Sequence, residues 1–214
     1  MFARRSSAYY QEAVVHAPLR ALALRELDRY LARYPAEAPS LVGLRAQLLD
    51  GFADPFARSN MRGHVTTSAF VLNAAFTHAL LIHHNFFDKW MQPGGHYELE
   101  EKALAPGAFS LWNSAYREVL EETGIVCAFR DPALGPPTPM DIETHAMGAN
   151  PAKGEGAHVH HDFVYLMVAQ GNFAPTALLT EVKAARWVPL SNVLQLGEMQ
   201  RMARKAVDLL SLST

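Results

Sequence analysis

Apolar positions change their period as the chain proceeds. From about residue 8 to residue 52 they follow a helical spacing, with Leu19, Leu22, Leu27 and Leu31 recurring every three to five residues after Pro18. A second, shorter helix is predicted from Ser40 as its N-cap through Leu41, Leu44 and Leu48, with Gly51 closing it. The run Phe52–Asn60, which contains Pro55, reads as a connector. Two short helices bury too little to stand alone, so this segment is expected to pack on the main domain.

At His64 the period shortens. His64–Leu72 and His78–His83 alternate or run apolar in the manner of strands, and the short stretch between them predicts a hairpin. Trp90–Gly95 reads as a short strand entering a tight turn, and Ser110 opens a helix that runs to Thr123 and stops at Gly124. Further strands are predicted at Val126–Phe129, Met140–His145, Val159–Val168 and Ala185–Val188, with loops rich in Pro and Gly at Asp131–Pro139 and Gly148–Gly156. Ser191 is the expected cap of a closing helical pair that ends near Leu210. Strands dominate the middle, with helices before, within and after them. That order predicts a mixed α/β sandwich of the α+β kind rather than a repeating βαβ array. The expected division is a helical extension over 1–60 and one domain over 61–214.

Composition narrows the class. Half of the 214 residues are hydrophobic, enough for a substantial core. With 19 basic and 21 acidic residues the formal charge is −2, which leaves no general electrostatic footprint for duplex nucleic acid or an anionic membrane. Cys127 is the single cysteine, so no intrachain disulfide forms and a reducing compartment fits. A small buried thiol is the expected role for it. The first residues lack the apolar core of a secretory signal, and the longest apolar stretch, Ser68–Ile82, is interrupted by Asn73, Thr77 and His78 and is too short for a bilayer. A cytoplasmic protein is expected, with a homodimer reasonable from the apolar N-terminal helices.

The chemistry concentrates in Gly94-Gly95-His96-Tyr97-Glu98-Leu99-Glu100-Glu101 and in Arg117-Glu118-Val119-Leu120-Glu121-Glu122-Thr123-Gly124-Ile125. Positions 118, 121 and 122 stand three and four apart, which places three carboxylates on one helical face. Like charges at that spacing destabilise a bare helix. Arg117 can pair with Glu121, but one arginine does not neutralise three carboxylates, and a hard divalent cation with oxygen ligands does. The glycine pair lets backbone approach such a ligand closely.

These residues resemble the Nudix hydrolase family, whose box runs Gly, five residues, Glu, seven residues, Arg-Glu-apolar-x-Glu-Glu-x-Gly-apolar. Gly95 and Glu101 match its first half, and Arg117, Glu118, Val119, Glu121, Glu122, Gly124 and Ile125 match the second. Fifteen residues, Lys102–Tyr116, stand where the family has seven; the surplus falls in Lys102–Phe109, around the loop-like Pro106-Gly107. Glu98 or Glu100 could therefore take the place of Glu101. The resemblance covers about residues 60 to 200, and Gly63–Ser68, Trp90–His96 and His158–Asp162 look like a bacterial subgroup with a helical N-terminal extension. It implies an α/β/α sandwich with a mixed sheet and Mg²⁺- or Mn²⁺-dependent cleavage of a diphosphate linkage. The substrate would be a nucleoside diphosphate joined to another group, such as a nucleotide sugar or dinucleotide. Glu118 and Glu122 are then the first metal ligands, Glu121 a third ligand or a water-orienting base, and the Gly95 carbonyl a further ligand. Arg117 orients a glutamate, and Glu181 is a candidate general base, with Glu155 behind it.

Histidines form the remaining signal. On an extended strand His158, His160 and Asp162 share one face and His161 lies on the other. That spacing suits contact with substrate, a transition metal or plain structural packing, and His96 and His64 lie at strand ends with the same three options. His158, His160 and His96 are taken as substrate contacts. Trp90 and Trp112 are expected in the core rather than as stacking platforms. Two other readings keep the fold: a catalytically weak nucleotide-binding regulator blocked by the inserted loop, and an isomerase of prenyl diphosphates. The intact carboxylates argue against the first; the place of Cys127 beyond the helix stop argues against the second.

Overall fold

A computed structural model describes residues 3–50, 53–98, 110–130, 137–151, 154–177 and 182–211, with backbone alone for 3–16. Two compact units emerge from the chain. One comprises Met1–Thr66, His96–Leu111 and Ile142–Asp162; the other comprises Thr67–Gly95, Trp112–Asp141 and Phe163–Thr214.

The first unit opens with α1 (Ala3–Arg33), a 3₁₀ segment (Pro35–Leu41) and α2 (Val42–Asp50). The buried stripe of α1 is Leu19, Ala23, Glu26, Leu27 and Tyr30, spaced four, three, one and three; Leu22 and Leu31 lie at its margins and are only half-buried. Pro18 sits inside the helix instead of preceding it. Ser40 does not cap a helix. Pro35 and Pro39 each lack an N–H, which favours short 3₁₀ turns over an α-helical start, and the Ser40 hydroxyl donates back to the Glu37 carbonyl at 2.8 Å. Gly51 lies outside the described residues. Gln47 is buried and donates its amide to the Gly63 carbonyl, while Arg62 pairs with Asp50 at 2.7 Å. Gly63 itself has φ +144, and an added Cβ would meet the Val159 carbonyl at 3.0 Å. Only glycine takes that position without strain.

The strands are β1 (His64–Leu72), β2 (His78–His84), β3 (Trp90–Met91), β4 (Gly94–His96), β5 (Cys127–Phe129), β6 (Asp141–Met147), β7 (His158–Ala169) and β8 (Val182–Pro189). They form one mixed, open sheet in the order β3-β2-β1-β7-β5, with β4 on β1, β6 on β7 and β8 on β2. The β1–β2 hairpin forms as expected. Its turn is held by the Asn73 side-chain oxygen, which accepts from the Thr77 and His78 amides at 2.8 and 3.0 Å. Every residue of β1 is buried, the polar His64, Thr66, Thr67 and Ser68 included, so burial does not alternate along it.

α3 (Leu111–Thr123), which from Trp112 on belongs to the second unit, is followed by Gly124 at φ +66, whose amide donates to the Leu120 carbonyl at 2.9 Å. This is the left-handed stop that the sequence implies. The chain closes with α4 (Leu190–Val193) and α5 (Gly197–Ser211). Ser191 is not the cap of α4: Pro189 occupies that position and offers no side-chain cap. Phe70, Leu81, Val164, Leu166, Met202 and Ala206 belong to one buried cluster. Asp141 at the start of β6 is fully buried and meets Lys205 of α5 at 2.8 Å, with Arg201 alongside. Trp90 is half-buried and packs against that cluster, with the Arg186 guanidinium 3.9 Å over its ring; Trp112 is half-buried and tilts on Phe129. Cys127 is buried against Met167, and desolvation pushes its thiol up to about 12, which makes it an inert packing residue.

Candidate active site

On α3, Leu111, Ala115 and Val119 form the apolar inward row at i, i+4, i+8, and Glu118 and Glu122 lie beside it. Both glutamates are buried, at 6% and 2% exposure, whereas the Glu121 side chain is 50% exposed. The three carboxylates therefore do not share one environment. Residues four apart diverge by about 40° around a helix, and residue 121 falls on the other side of 118, turned toward solvent. Arg117 spans the difference, meeting Glu118 at 3.1 Å and Glu121 at 2.8 Å. That is the Arg117–Glu121 pairing read from the sequence, with Glu118 added.

The glycine pair of β4 meets the buried carboxylates. The Gly94 amide donates to Glu122 Oε2 at 3.0 Å. A Cβ on Gly95 would fall on the Glu118 carboxylate, and one on Gly94 would collide with Ser68 and Thr67. Gly94 is thus needed for packing against β1, and at Gly95 a side chain would have to push the Glu118 carboxylate aside. Buried carboxylate oxygens next to an open backbone position are hard donors of the kind a small divalent cation takes, so the residues fit such an ion.

The histidines gather in the first unit. His64 is fully buried; His158 and His160 are nearly so, and His96 is half-buried. His96 Nε2 stands 3.0 Å from His64 Nε2, and His158 Nε2 stands 3.0 Å from His160 Nε2. Asp162 instead accepts from the Thr66 hydroxyl at 3.0 Å, and His161 faces Thr144 at 2.9 Å. Burial, reinforced by His96, His64, His145 and His158, pushes His160 down to about 2, and burial with His145 and His64 takes His161 to about 4. These rings are neutral at ordinary pH. Glu155 is tied to Arg58 in an ion pair and bridges to Asn150. Glu181, Glu100, Glu101 and the inserted Lys102–Phe109 lie outside the described residues.

A family model, the NUDIX domain, matches residues 62–210. The chain belongs to the NUDIX family. With the family come its α+β sandwich fold, here with helices preceding the matched region, and its enzyme class, pyrophosphohydrolase. No curated protein matches this Nudix hydrolase. Among solved structures it is similar to a NUDIX-family hydrolase from Clostridium perfringens at 21% identity and TM-score 0.49, covering 71% of this chain and 99% of that one. It is similar to a C. elegans Ap4A hydrolase at 18% identity and TM-score 0.49, over 69% and 97% of the two chains. A third is the NUDIX domain of Shewanella oneidensis NrtR complexed with ADP ribose, at 22% identity and TM-score 0.43, over 68% and 87%.

Sequence reasoning missed the Gly94 amide as a partner of Glu122 and the pairing of ring nitrogens among the histidines. The first had a usable signal, because a second glycine next to Gly95 marks backbone exposed to a neighbour. The second had none in local spacing, since His64 and His160 are brought together only by strand pairing.

Proposed function

We propose that this Nudix hydrolase cleaves the diphosphate linkage of a nucleoside diphosphate joined to another group, in a reaction dependent on Mg²⁺ or Mn²⁺. The observation that carries this reading is the pair of buried carboxylates, Glu118 and Glu122, set against the Gly94-Gly95 backbone. Glu118 and Glu122 are the residues that would hold the ion, with the Gly95 carbonyl and Glu121 as further donors. When bound, a divalent cation neutralises charge on the diphosphate oxygens and favours ionisation of water.

The chain's own groups do the positioning. The Gly94 N–H donates to one oxygen of Glu122 and so helps to fix the orientation of that carboxylate. Arg117, shared between Glu118 and Glu121, holds the Glu118 carboxylate in one orientation. Water has to attack phosphorus in line with the leaving oxygen, so this fixed geometry matters more than added reactivity. In this reading Glu121 orients or deprotonates that water, and Glu181 is the alternative base. Arg117, Glu121 and Glu181 are the catalytic assignments of this reading.

Among the described residues no helix is long and apolar enough to cross a membrane. With one buried thiol and a formal charge of −2, we place the enzyme in the cytoplasm acting on a small nucleotide, as a monomer or homodimer, with residues 1–60 as its helical extension. The test is hydrolysis of a panel of nucleotide sugars, dinucleotides and modified nucleoside triphosphates with Mg²⁺ or Mn²⁺. Metal-dependent release of a nucleoside monophosphate from one panel member, abolished in Glu122→Gln, is the expected result. Turnover that persists in a chelator, or in Glu122→Gln at the wild-type rate, refutes the assignment.

A further inference from the structure

We propose that His64, His96 and His160 form a second metal site, one that takes a borderline transition ion such as Zn²⁺. One ligand nitrogen from each ring lies within 4.8 Å of the other two. Tetrahedral zinc with Zn–N bonds near 2.0–2.1 Å needs nitrogens about 3.3 Å apart, so small ring movements suffice. His64 and His96 already stand at 3.0 Å. All three residues belong to one compact unit.

Tautomers point the same way. A carbonyl only accepts, so a ring nitrogen facing one must donate. His64 Nδ1 faces the Asn60 carbonyl at 3.3 Å, and His158 Nδ1 faces the Gly156 carbonyl at 2.7 Å. Nε2 of His64 therefore carries a lone pair that faces His96 inside the cluster, and Nε2 of His158 one that faces His160. An imidazole whose far nitrogen donates to a backbone carbonyl is oriented as metal-bound histidines are. His158 is close enough to His160 to supply a fourth nitrogen. The His64, His158 and His160 rings all lie within 4.9 Å of one another centre to centre, and His145 adds a further ring 5.6 Å from His160. Imidazole nitrogens suit Zn²⁺, Co²⁺, Ni²⁺ or Cu²⁺ and not Mg²⁺, so this site and the carboxylates of α3 select different ions.

A metal here would tie the start of β1, the end of β4 and the start of β7. Its role is structural: it binds the folded chain and adds its binding free energy to the fold.

Co²⁺ is the probe. The full chain, freed of metal with a chelator and given one equivalent of Co²⁺, should show visible d–d bands of a four-coordinate nitrogen site. His96→Ala and His160→Ala should weaken Co²⁺ binding by about a hundred-fold or more. Glu118→Gln and Glu122→Gln should leave the bands unchanged. Zn²⁺ should raise the thermal midpoint of the wild-type chain by about 5 °C or more, and that of His96→Ala by far less. Absence of the bands in the folded wild-type chain overturns the proposal. So do bands that persist in both histidine variants, or that vanish in the glutamate variants. If His160→Ala does not fold, the half-buried His96→Ala decides alone.

Discussion

The two polar clusters of this protein solve the burial of ionisable groups in opposite ways. On α3, Glu118 and Glu122 keep company with a guanidinium and a glycine amide, partners that favour negative oxygen. Among the histidines, rings face rings and carbonyls, and burial removes the proton instead. A carboxylate taken from water needs positive partners to stay charged, whereas an imidazole becomes neutral within the range where proteins work. One cluster is therefore built to be completed by added positive charge. The other is complete as a neutral group, and any cation it takes must prefer nitrogen.

The sharpest way to break this contrast is a neutral isostere. Glu122→Gln keeps the shape of the side chain and removes its charge. Turnover should fall at least about a thousand-fold. Stability without metal should hold or rise slightly, because a like-charge pair with Glu118 at i, i+4 is relieved by about 0.2–0.5 kcal/mol. Kinetics with a Mg²⁺-dependent substrate and urea unfolding in a chelator measure the two halves. A stability loss of several kcal/mol would make Glu122 a structural residue and dissolve the distinction.

Gly95→Ala tests the same cluster by crowding. The new methyl group would fall on the Glu118 carboxylate, so either the carboxylate or β4 must move. A displacement of that size in a metal-facing group should cost about a hundred-fold in kcat. Overpacking should cost about 1–3 kcal/mol in stability. Activity within a few-fold of wild type would mean that Glu118 can turn away without consequence.

How far each cluster was legible follows from what positions it. The α3 carboxylates are a local pattern: spacing along one helix, a stop at Gly124 and a glycine pair shortly before. All of that is written in order along the chain. What spacing alone misjudged was exposure, since Glu121 turns outward on Arg117 while Glu118 and Glu122 turn in. On β7 His158 and His160 meet each other while His161 meets Thr144, but convergence with His64 and His96 depends on strand pairing, which no local period records. The two caps failed for a nearer reason. Ser40 and Ser191 have good capping chemistry, but prolines at 35, 39 and 189 set the backbone there first. The buried Asp141–Lys205 pair, sixty-four residues apart, was invisible for the same reason as the histidines.

Acid should separate the clusters next. His160 and His161 sit at about 2 and about 4 in the folded chain, against about 6.5 when unfolded. Below pH 6.5 the unfolded chain binds protons that the folded chain refuses, so stability is fully present above 6.5 and falls with pH. The loss is about 1.4 kcal/mol per pH unit for each histidine, until the folded pKa is reached. The groups facing His160 are His96, His64, His145 and His158, and those facing His161 are His145 and His64. None carries negative charge to offset the effect. Urea midpoints taken in chelator from pH 7 to pH 5 should therefore drop steeply. A flat profile would show that the rings accept protons when folded.

The smallest effect should come from the carboxylate that escaped burial. Glu121 is half-exposed, and its ion pair with Arg117 is screened by solvent, so it contributes little to the fold, well under about 1 kcal/mol. If its work is to orient water or offer a further oxygen donor, Glu121→Gln should lower kcat by about ten-fold and leave KM nearly alone. Arg117, released from Glu121, would still hold Glu118 at its present contact. That makes the ratio between the two variants more informative than either value. If Glu121→Gln costs as much as Glu122→Gln, the outward glutamate must swing inward when an ion arrives, and the line between buried and exposed members of the cluster belongs only to the metal-free chain.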